Sequence, residues 1–375
     1  MQLVPLSTVI EQIRVGQPLR WNIRNQDGFL LLARGIIVTT ATLQSNLMNR
    51  GSFIDAAELE FNLAEVRYED APLEAFIGRW ERLIALIRGF SAETDTPTLV
   101  ERVHECLKHA RALTELNTDL AIFLILRRDQ SRLRHYGFSQ SLHAAAVCGL
   151  AAQRLRWEPA DQASVMSAAL TMNLSIADLQ GVLAAQREPL SAAQREQIRT
   201  HPADSAALLR HAGVSDEKWL AAVEQHHEVP GGTGYPAGLA SPGELSQLLR
   251  YADIYAAQLS ARATRAPQLA KQAARALFER DHASPLVTAV IKSFGLYPPG
   301  SYVRLASGET AIVTRRGASA TTPVVVALTD TRGYPLVDPV LRETSEAAHA
   351  VLDAVPDEQV SARPAWQRLY EISFR

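Results

Sequence analysis

Apolar and polar residues alternate with a period of about two at both ends of this chain, and with a helical period of about 3.6 between them. Near the N-terminus, PLRWNIR and FLLLARG read as two strands joined through Asn25-Gln26-Asp27-Gly28, where the Asp-Gly pair is a strong hairpin signal. IIVTT follows, and then a short helix, ATLQSNLMNRG, stopped by Gly51. From residue 63 the spacing turns helical, and WERLIALIRGF and LVERVHECLKHARALTEL repeat apolar residues at i, i+3 and i+4. Helices are expected from Tyr136 to Phe294, punctuated by Gly and Pro. Past Pro298-Pro299-Gly300 the period returns to two in YVRL, TAIVTR and PVVVAL, and TSEAAHAVLDAV reads as a closing helix. The expected fold class is therefore mainly α, a helical domain flanked by small N-terminal and C-terminal β modules. Its parts are a β-rich module over 1–62, a helical connector over 63–130, a helical domain over 131–297, a small β module over 298–342, and a C-terminal helix and tail over 343–375.

Composition narrows the function classes only a little. At 375 residues the chain exceeds one ordinary core, and 47% hydrophobic with 21% charged residues is a globular composition. The net charge is −2 and no block of Lys or Arg stands out, so nothing supports nucleic acid as a partner. Cys106 and Cys148 both fall in helical patterns and read as two buried thiols rather than a disulfide framework. MQLVPLSTVIEQIR lacks a basic stretch followed by an apolar run, and no segment approaches about 18 consecutive apolar residues. The expectation is a cytoplasmic protein with no signal peptide and no membrane span.

One stretch stands apart: His226-His227-Glu228-Val229-Pro230-Gly231-Gly232-Thr233-Gly234-Tyr235-Pro236. The helix before it carries Trp219, Val223 and His226 along one inward stripe. Adjacent helical residues diverge by about 100°, so His226 and His227 are expected to fan apart, each toward a different ion or only one of them toward a metal. Three glycines and two prolines then force a tight irregular loop that lets a ligand approach the backbone. Further on, Ser241-Pro242-Gly243-Glu244 reads as a capping box, opening a helix whose apolar stripe runs through Leu245, Leu249, Ala252, Tyr255 and Leu259. Asp253 lies beside that stripe, and a buried carboxylate there needs a partner, a cation being the obvious one. Upstream, His201 precedes Pro202 at what reads as a helix start, THPADSAALL. A His pair, a His-Pro step or a helical Asp is usually structural or solvated when met alone; in this order and spacing they are not ordinary.

In that arrangement the chain resembles the HD-GYP family, a branch of the HD metal-dependent phosphohydrolases. HHEVPGGTGYPAGL is similar to the family's HHExxDGxGYPxGL, LLRYADIYAAQLSARATR is similar to its ADxYDAxxxxRxYR segment, and the likeness covers about residues 136–290. The resemblance implies a helical HD-GYP-type fold and hydrolysis of the bacterial messenger cyclic di-GMP at a two- or three-metal site, usually of iron or manganese. It assigns metal-ligand positions to His201, His226, His227 and Asp253. Other positions depart from the pattern. Gln140 stands where the family has its first ligand His, and Met172 and Asn173 stand where it has its His-Asp dyad. The Lys after the dyad is Ile176, the Asp of HHExxDG is Gly231, and the second Asp of ADxYDA is Ala256. Gly232, Gly234, Tyr235 and Pro236 remain as a loop able to meet a ligand or partner, and Arg262 and Arg265 match the family's basic pair as candidate phosphate contacts.

These losses shape the expectation. A dyad Asp would offset the repulsion of two cations about 3.5–4 Å apart, and the neutral amide of Asn173 does not. The Met172 thioether suits soft ions. No metal or one divalent ion is expected, not two, held by Asp253 and histidines with Glu228 as the remaining acid nearby. The resemblance then implies a catalytically impaired protein in cyclic di-GMP-linked signalling, with no catalytic residue assigned. It would act on a signalling protein partner, or bind cyclic di-GMP without cleaving it. The alternative is an active metal-dependent cyclic di-GMP phosphodiesterase. The connector leaves a homodimer open, and neither β module shows a motif that names its ligand.

Overall fold

The Asn25–Gly28 turn folds as its composition demands. The Asn25 Oδ1 accepts the backbone N–H groups of Asp27 at 3.0 Å and Phe29 at 2.9 Å, and Gly28 has φ 87°. The computed structural model describes residues 98–127 and 135–362 without a break, together with 73–94, parts of 3–55, and Leu133, Leu369, Ile372 and Ser373. The short helix expected over 41–51 lies, apart from Leu47, outside the described residues, as does the start of the connector at 63–72.

The chain forms two units, residues 1–86 and 87–375. In the first, strands β1 (Leu3–Pro5), β2 (Ile23–Arg24), β3 (Leu30–Leu32) and β4 (Phe53–Asp55) make an antiparallel sheet in the order β1-β4-β2-β3. Leu6, Trp21, Ile23, Val38 and Ile54 form its core. Helix α1 (Leu73–Ala92) runs across the limit between the two units.

The second unit is helical: α2 (Leu99–Leu116), α3 (Thr118–Leu126), α4 (Tyr136–Arg154), α5 (Pro159–Thr171), α6 (Ala177–Ala185), α7 (Ala192–His211), α8 (Glu217–Gln225), α9 (Glu244–Leu259), α10 (Ala270–Arg280) and α11 (Pro285–Phe294). Helix α4 is its hub, packed by α2, α5, α6, α9 and α11. Its Ala144, Ala145, Ala146, Cys148, Ala151 and Ala152 are buried on every side, and such small side chains let neighbouring helices approach from several directions. Burial pushes the Cys148 and Cys106 thiols well above their ordinary range, so both are inert packing groups, as their helical setting predicts. The stretch Pro159–Ala185 is apolar enough to pass for a membrane span by length and mean hydropathy alone. It folds here as α5, a 3-10 turn at Leu174–Ile176 and α6, and is mostly buried against the other helices.

Beyond α11, β5 (Tyr302–Leu305), β6 (Thr310–Arg315), β7 (Val324–Thr329), β8 (Pro335–Glu343) and β9 (Val351–Val355) form an antiparallel sheet in the order β8-β7-β6-β5-β9. The closing helix expected in TSEAAHAVLDAV is not there. Ala347–His349 makes one 3-10 turn, and Val351–Val355 is a strand paired with β5, Tyr302 opposite Val355. Pairing along an open sheet edge satisfies a row of backbone groups, and that outweighs the helix preference of an alanine-rich run. The sheet therefore extends past residue 342. It seats on the helices through Arg316, whose guanidinium pairs with Asp119 of α3 and bonds the Ser293 carbonyl at 3.0 Å. At Gly300 a Cβ would fall 2.8 Å from that of Leu126, so the chain passes too close for any larger residue.

The bundle carries a buried polar tie: the Trp219 indole N–H donates to Thr171 Oγ1 at 2.8 Å. Thr171→Val keeps the volume and orphans that N–H, so we expect a loss of about 1–3 kcal/mol, read from the midpoint of chemical denaturation.

Candidate metal centre

His201 does not open a helix. Helix α7 starts nine residues earlier, at Ala192, with Ser191 as N-cap in a capping box with Gln194, and Pro202 sits inside it. Proline has no N–H, so the carbonyl four residues back, that of Ile198, loses its helical donor. The His201 ring fills the gap, its Nδ1 lying 2.7 Å from the Ile198 oxygen. A carbonyl only accepts, so Nδ1 carries the hydrogen and Nε2 of the neutral ring is a bare lone pair.

His226 is pinned in the same way at a helix end. Helix α8 stops at Gln225, which leaves the Val223 carbonyl among its end groups, and His226 Nδ1 takes it at 2.7 Å. Its Nε2 then lies 3.1 Å from the Nε2 of His201. The two histidines of the pair do not fan apart as expected. The helix has ended, the 100° rule no longer applies, and both rings converge on His201 with centroids 5.1 Å away. The ligating nitrogens of His201, His226 and His227 all lie within 4.8 Å of one another. Burial is the first cause holding all three imidazoles neutral: it brings His201 down to about 3, with His226 adding to the fall and the Ile198 carbonyl opposing it. His227 is lowered further by its two neighbours, while Asp253 works the other way on His226.

The expected cation is not the only partner Asp253 finds. Gln140 donates its Nε2 to Asp253 Oδ1 and to the Asp253 carbonyl, each at 3.0 Å. Asp253 therefore faces an amide from α4 and stands outside the group of three converging imidazoles. Glu228 is committed elsewhere too. Buried, it accepts the N–H groups of Ala237 at 2.7 Å, Gly238 at 3.1 Å and Leu239 at 2.9 Å, which closes the loop after the His pair. Within that loop Gly232 is at φ 80°, and a Cβ on Gly234 would collide with the backbone of Glu228 and Val229. Tyr235, followed by a cis bond to Pro236, stacks on His227 with ring centroids 4.6 Å apart.

Other candidates are placed as follows. Met172 and Asn173 are buried after α5, and Ser175 just beyond donates to the His201 carbonyl at 3.2 Å, holding this turn against α7. Arg262 directs its guanidinium at the Tyr136 hydroxyl, with Nη2 at 2.8 Å, and Arg265 bonds the Ala257 carbonyl at 2.6 Å; the two face each other across an antiparallel bridge. The capping box expected at Ser241–Glu244 is absent: α9 begins at Glu244 with Gly243 as N-cap. Gln225 takes over, its Oε1 accepting from Gly243 N at 3.0 Å and Ser246 Oγ at 3.2 Å. The roles of Gln225 and of the Ile198 carbonyl escaped the sequence reading. The second had a signal, a His directly before a Pro inside a periodic helical stretch.

Comparison with known proteins adds the following. The HD domain family model matches residues 99–283. A Pseudomonas aeruginosa protein named cyclic di-GMP phosphodiesterase PA4108 is 36% identical over 134 residues, which is 34% of this chain and 32% of that protein. The chain thus spans about a third of that relative's length. Among solved structures, Bd1817, a HDG"Y"P protein from Bdellovibrio bacteriovorus, superposes with a TM-score of 0.55 over 77% of this chain and 98% of that one, at 15% identity, a likeness of fold.

Two outcomes follow from the buried imidazoles. His201 in the folded chain takes a proton only near pH 3, whereas unfolded histidine takes one near about 6.5. Through His201 the metal-free protein should keep full stability above that range and lose up to ~1.4 kcal/mol per pH unit as pH falls from about 6.5 toward 3, with the lowered His226 and His227 adding in the same direction, measured by urea titration. Pro202→Ala restores an N–H that competes for the Ile198 carbonyl. We expect it to free the His201 ring, seen in imidazole nitrogen shifts, and to weaken ion binding by ~10-fold or more without lowering Tm.

Proposed function

We propose that this chain, which belongs to the HD domain family through residues 99–283, acts in cyclic di-GMP signalling as a regulatory or nucleotide-binding protein rather than as a phosphodiesterase. The observation that carries this reading is the hydrogen bond from Gln140 to Asp253. It engages one oxygen of the Asp253 carboxylate, while Glu228 is occupied by three loop amides.

The donor set fits a single ion. Two bare Nε2 lone pairs 3.1 Å apart repel unless a cation or proton lies between them, and that spacing is close to the edge of a coordination shell with metal–nitrogen bonds of about 2.0–2.1 Å. His201, His226 and His227 would hold such an ion, which would supply Lewis acidity to a bound oxygen. A second ion does not fit. Two divalent cations require anionic bridging, and Asn173, Met172 and Gln140 are all neutral. With no bridged pair, the clamp that holds both the attacking and the leaving oxygen of a phosphodiester in line is missing. Binding remains open to the chain, because Gly232, Gly234 and Tyr235 shape a loop beside His227 and the exposed Arg262 and Arg265 lie on one short turn. The similarity to a protein named as a cyclic di-GMP phosphodiesterase supports that nucleotide as the ligand. The reading extends to a cytoplasmic protein that passes the signal to a protein partner.

Elemental analysis of untagged protein should find no more than one divalent ion per chain. Incubation with manganese or iron and cyclic di-GMP should give no linear product. Turnover abolished by His227→Ala would establish the active phosphodiesterase instead.

A further inference from the structure

Helix α4 opens on Tyr136, a buried side chain with 7% of its surface exposed. Its hydroxyl oxygen accepts the Arg262 guanidinium twice, from Nη2 at 2.8 Å and from Nε at 3.3 Å, and the guanidinium carbon lies 4.8 Å from the ring centroid. Both bonds use the oxygen as an acceptor, so the phenolic hydrogen is left over. It finds no acceptor among the described residues. Asp253 is near enough to work against ionisation of this phenol, yet neither of its oxygens bonds it: Oδ1 takes the Gln140 amide, and Oδ2 makes no hydrogen bond among the described residues. A buried donor left unpaired is costly, so this hydrogen calls for a partner.

The turn that carries Arg262 is fixed in place. The Arg262 N–H donates to the Arg265 carbonyl at 3.0 Å, the Arg265 N–H returns to the Arg262 carbonyl at 3.1 Å, and the Ala263 N–H donates to Ala184 of α6 at 2.7 Å. Helix α6 also supports the start of α4, where a Cβ on Gly137 would collide with the Ala177 carbonyl. The phenol and the basic turn thus rest on one common helix. Arg262 gives its Nε and Nη2 to the phenol while Nη1 makes no hydrogen bond among the described residues, and Arg265 gives Nη2 to the Ala257 carbonyl at 2.6 Å. Burial first, and then the like charge of Arg262, keeps the Arg265 guanidinium below its ordinary range. Two neighbouring cations beside a spare phenolic hydrogen suit an anion with several oxygens.

We infer that Tyr136 is a ligand-binding residue: it donates its hydroxyl hydrogen to a phosphate oxygen of the nucleotide, while Arg262 and Arg265 meet the charge of the same phosphate. This rests on the nucleotide-binding reading above and adds to it a neutral donor that acts without a metal ion.

The test is calorimetric titration of the full chain with cyclic di-GMP in the presence of a chelator. Tyr136→Phe keeps the ring and removes only the hydroxyl; it should weaken binding by roughly 10-fold or more, with the helical circular dichroism of the parent. Arg262→Lys keeps the charge and loses the fork that grips the phenol. Adding Tyr136→Phe to that variant should weaken binding again, as loss of a direct contact does. Tyr334→Phe, at an exposed site in the C-terminal sheet, should bind as the parent does. Tyr136→Phe binding as tightly as the parent overturns the assignment and leaves the nucleotide reading intact. No further loss in the Arg262→Lys chain overturns the direct contact, since Tyr136 would then serve only to position Arg262. No binding by the parent chain overturns both the assignment and the reading beneath it.

Discussion

Two interrupted helices set the chemistry of this protein. Where Pro202 withholds an N–H and where α8 runs out, a backbone carbonyl is left without its helical donor, and a histidine ring turns in to supply one. Each ring is thereby locked in the tautomer that aims an unprotonated nitrogen at the other. The cluster is built by backbone accounting rather than by acidic neighbours, and its neutrality follows from burial.

Imidazole nitrogens suit one borderline ion, whereas a pair of divalent ions needs anions to share. The acid closest to the rings is restrained by an amide from the hub helix, and the buried Glu228 serves as a staple for a glycine-rich loop.

Much of the architecture was legible beforehand because it rests on local signals. The Asn25–Gly28 turn, the helical run from Tyr136 to Phe294 and the three C-terminal strands follow from periodicity and turn chemistry. The convergence of His201, His226 and His227 was readable only through motif resemblance, since His201 lies inside α7 and the other two in the turn after α8. What escaped depended on distant partners. Val351–Val355 is a strand because β5 offers an open edge, and the start of α9 is tied to Gln225 of another helix through Gly243 and Ser246. The direction of the His pair required knowing that α8 stops one residue before it.

The seat of the C-terminal sheet bears on where this protein divides. Gly300 passes against Leu126, and Arg316 reaches back to Asp119 and to the last turn of α11. The span recognised by family likeness, 99–283, is therefore not a span that can be excised. A fragment ending at α11 would open an apolar wall along α3 to water and strand the Asp119 carboxylate without its counter-charge. The sheet is structurally a part of the helical core, and it shares that core's cooperativity.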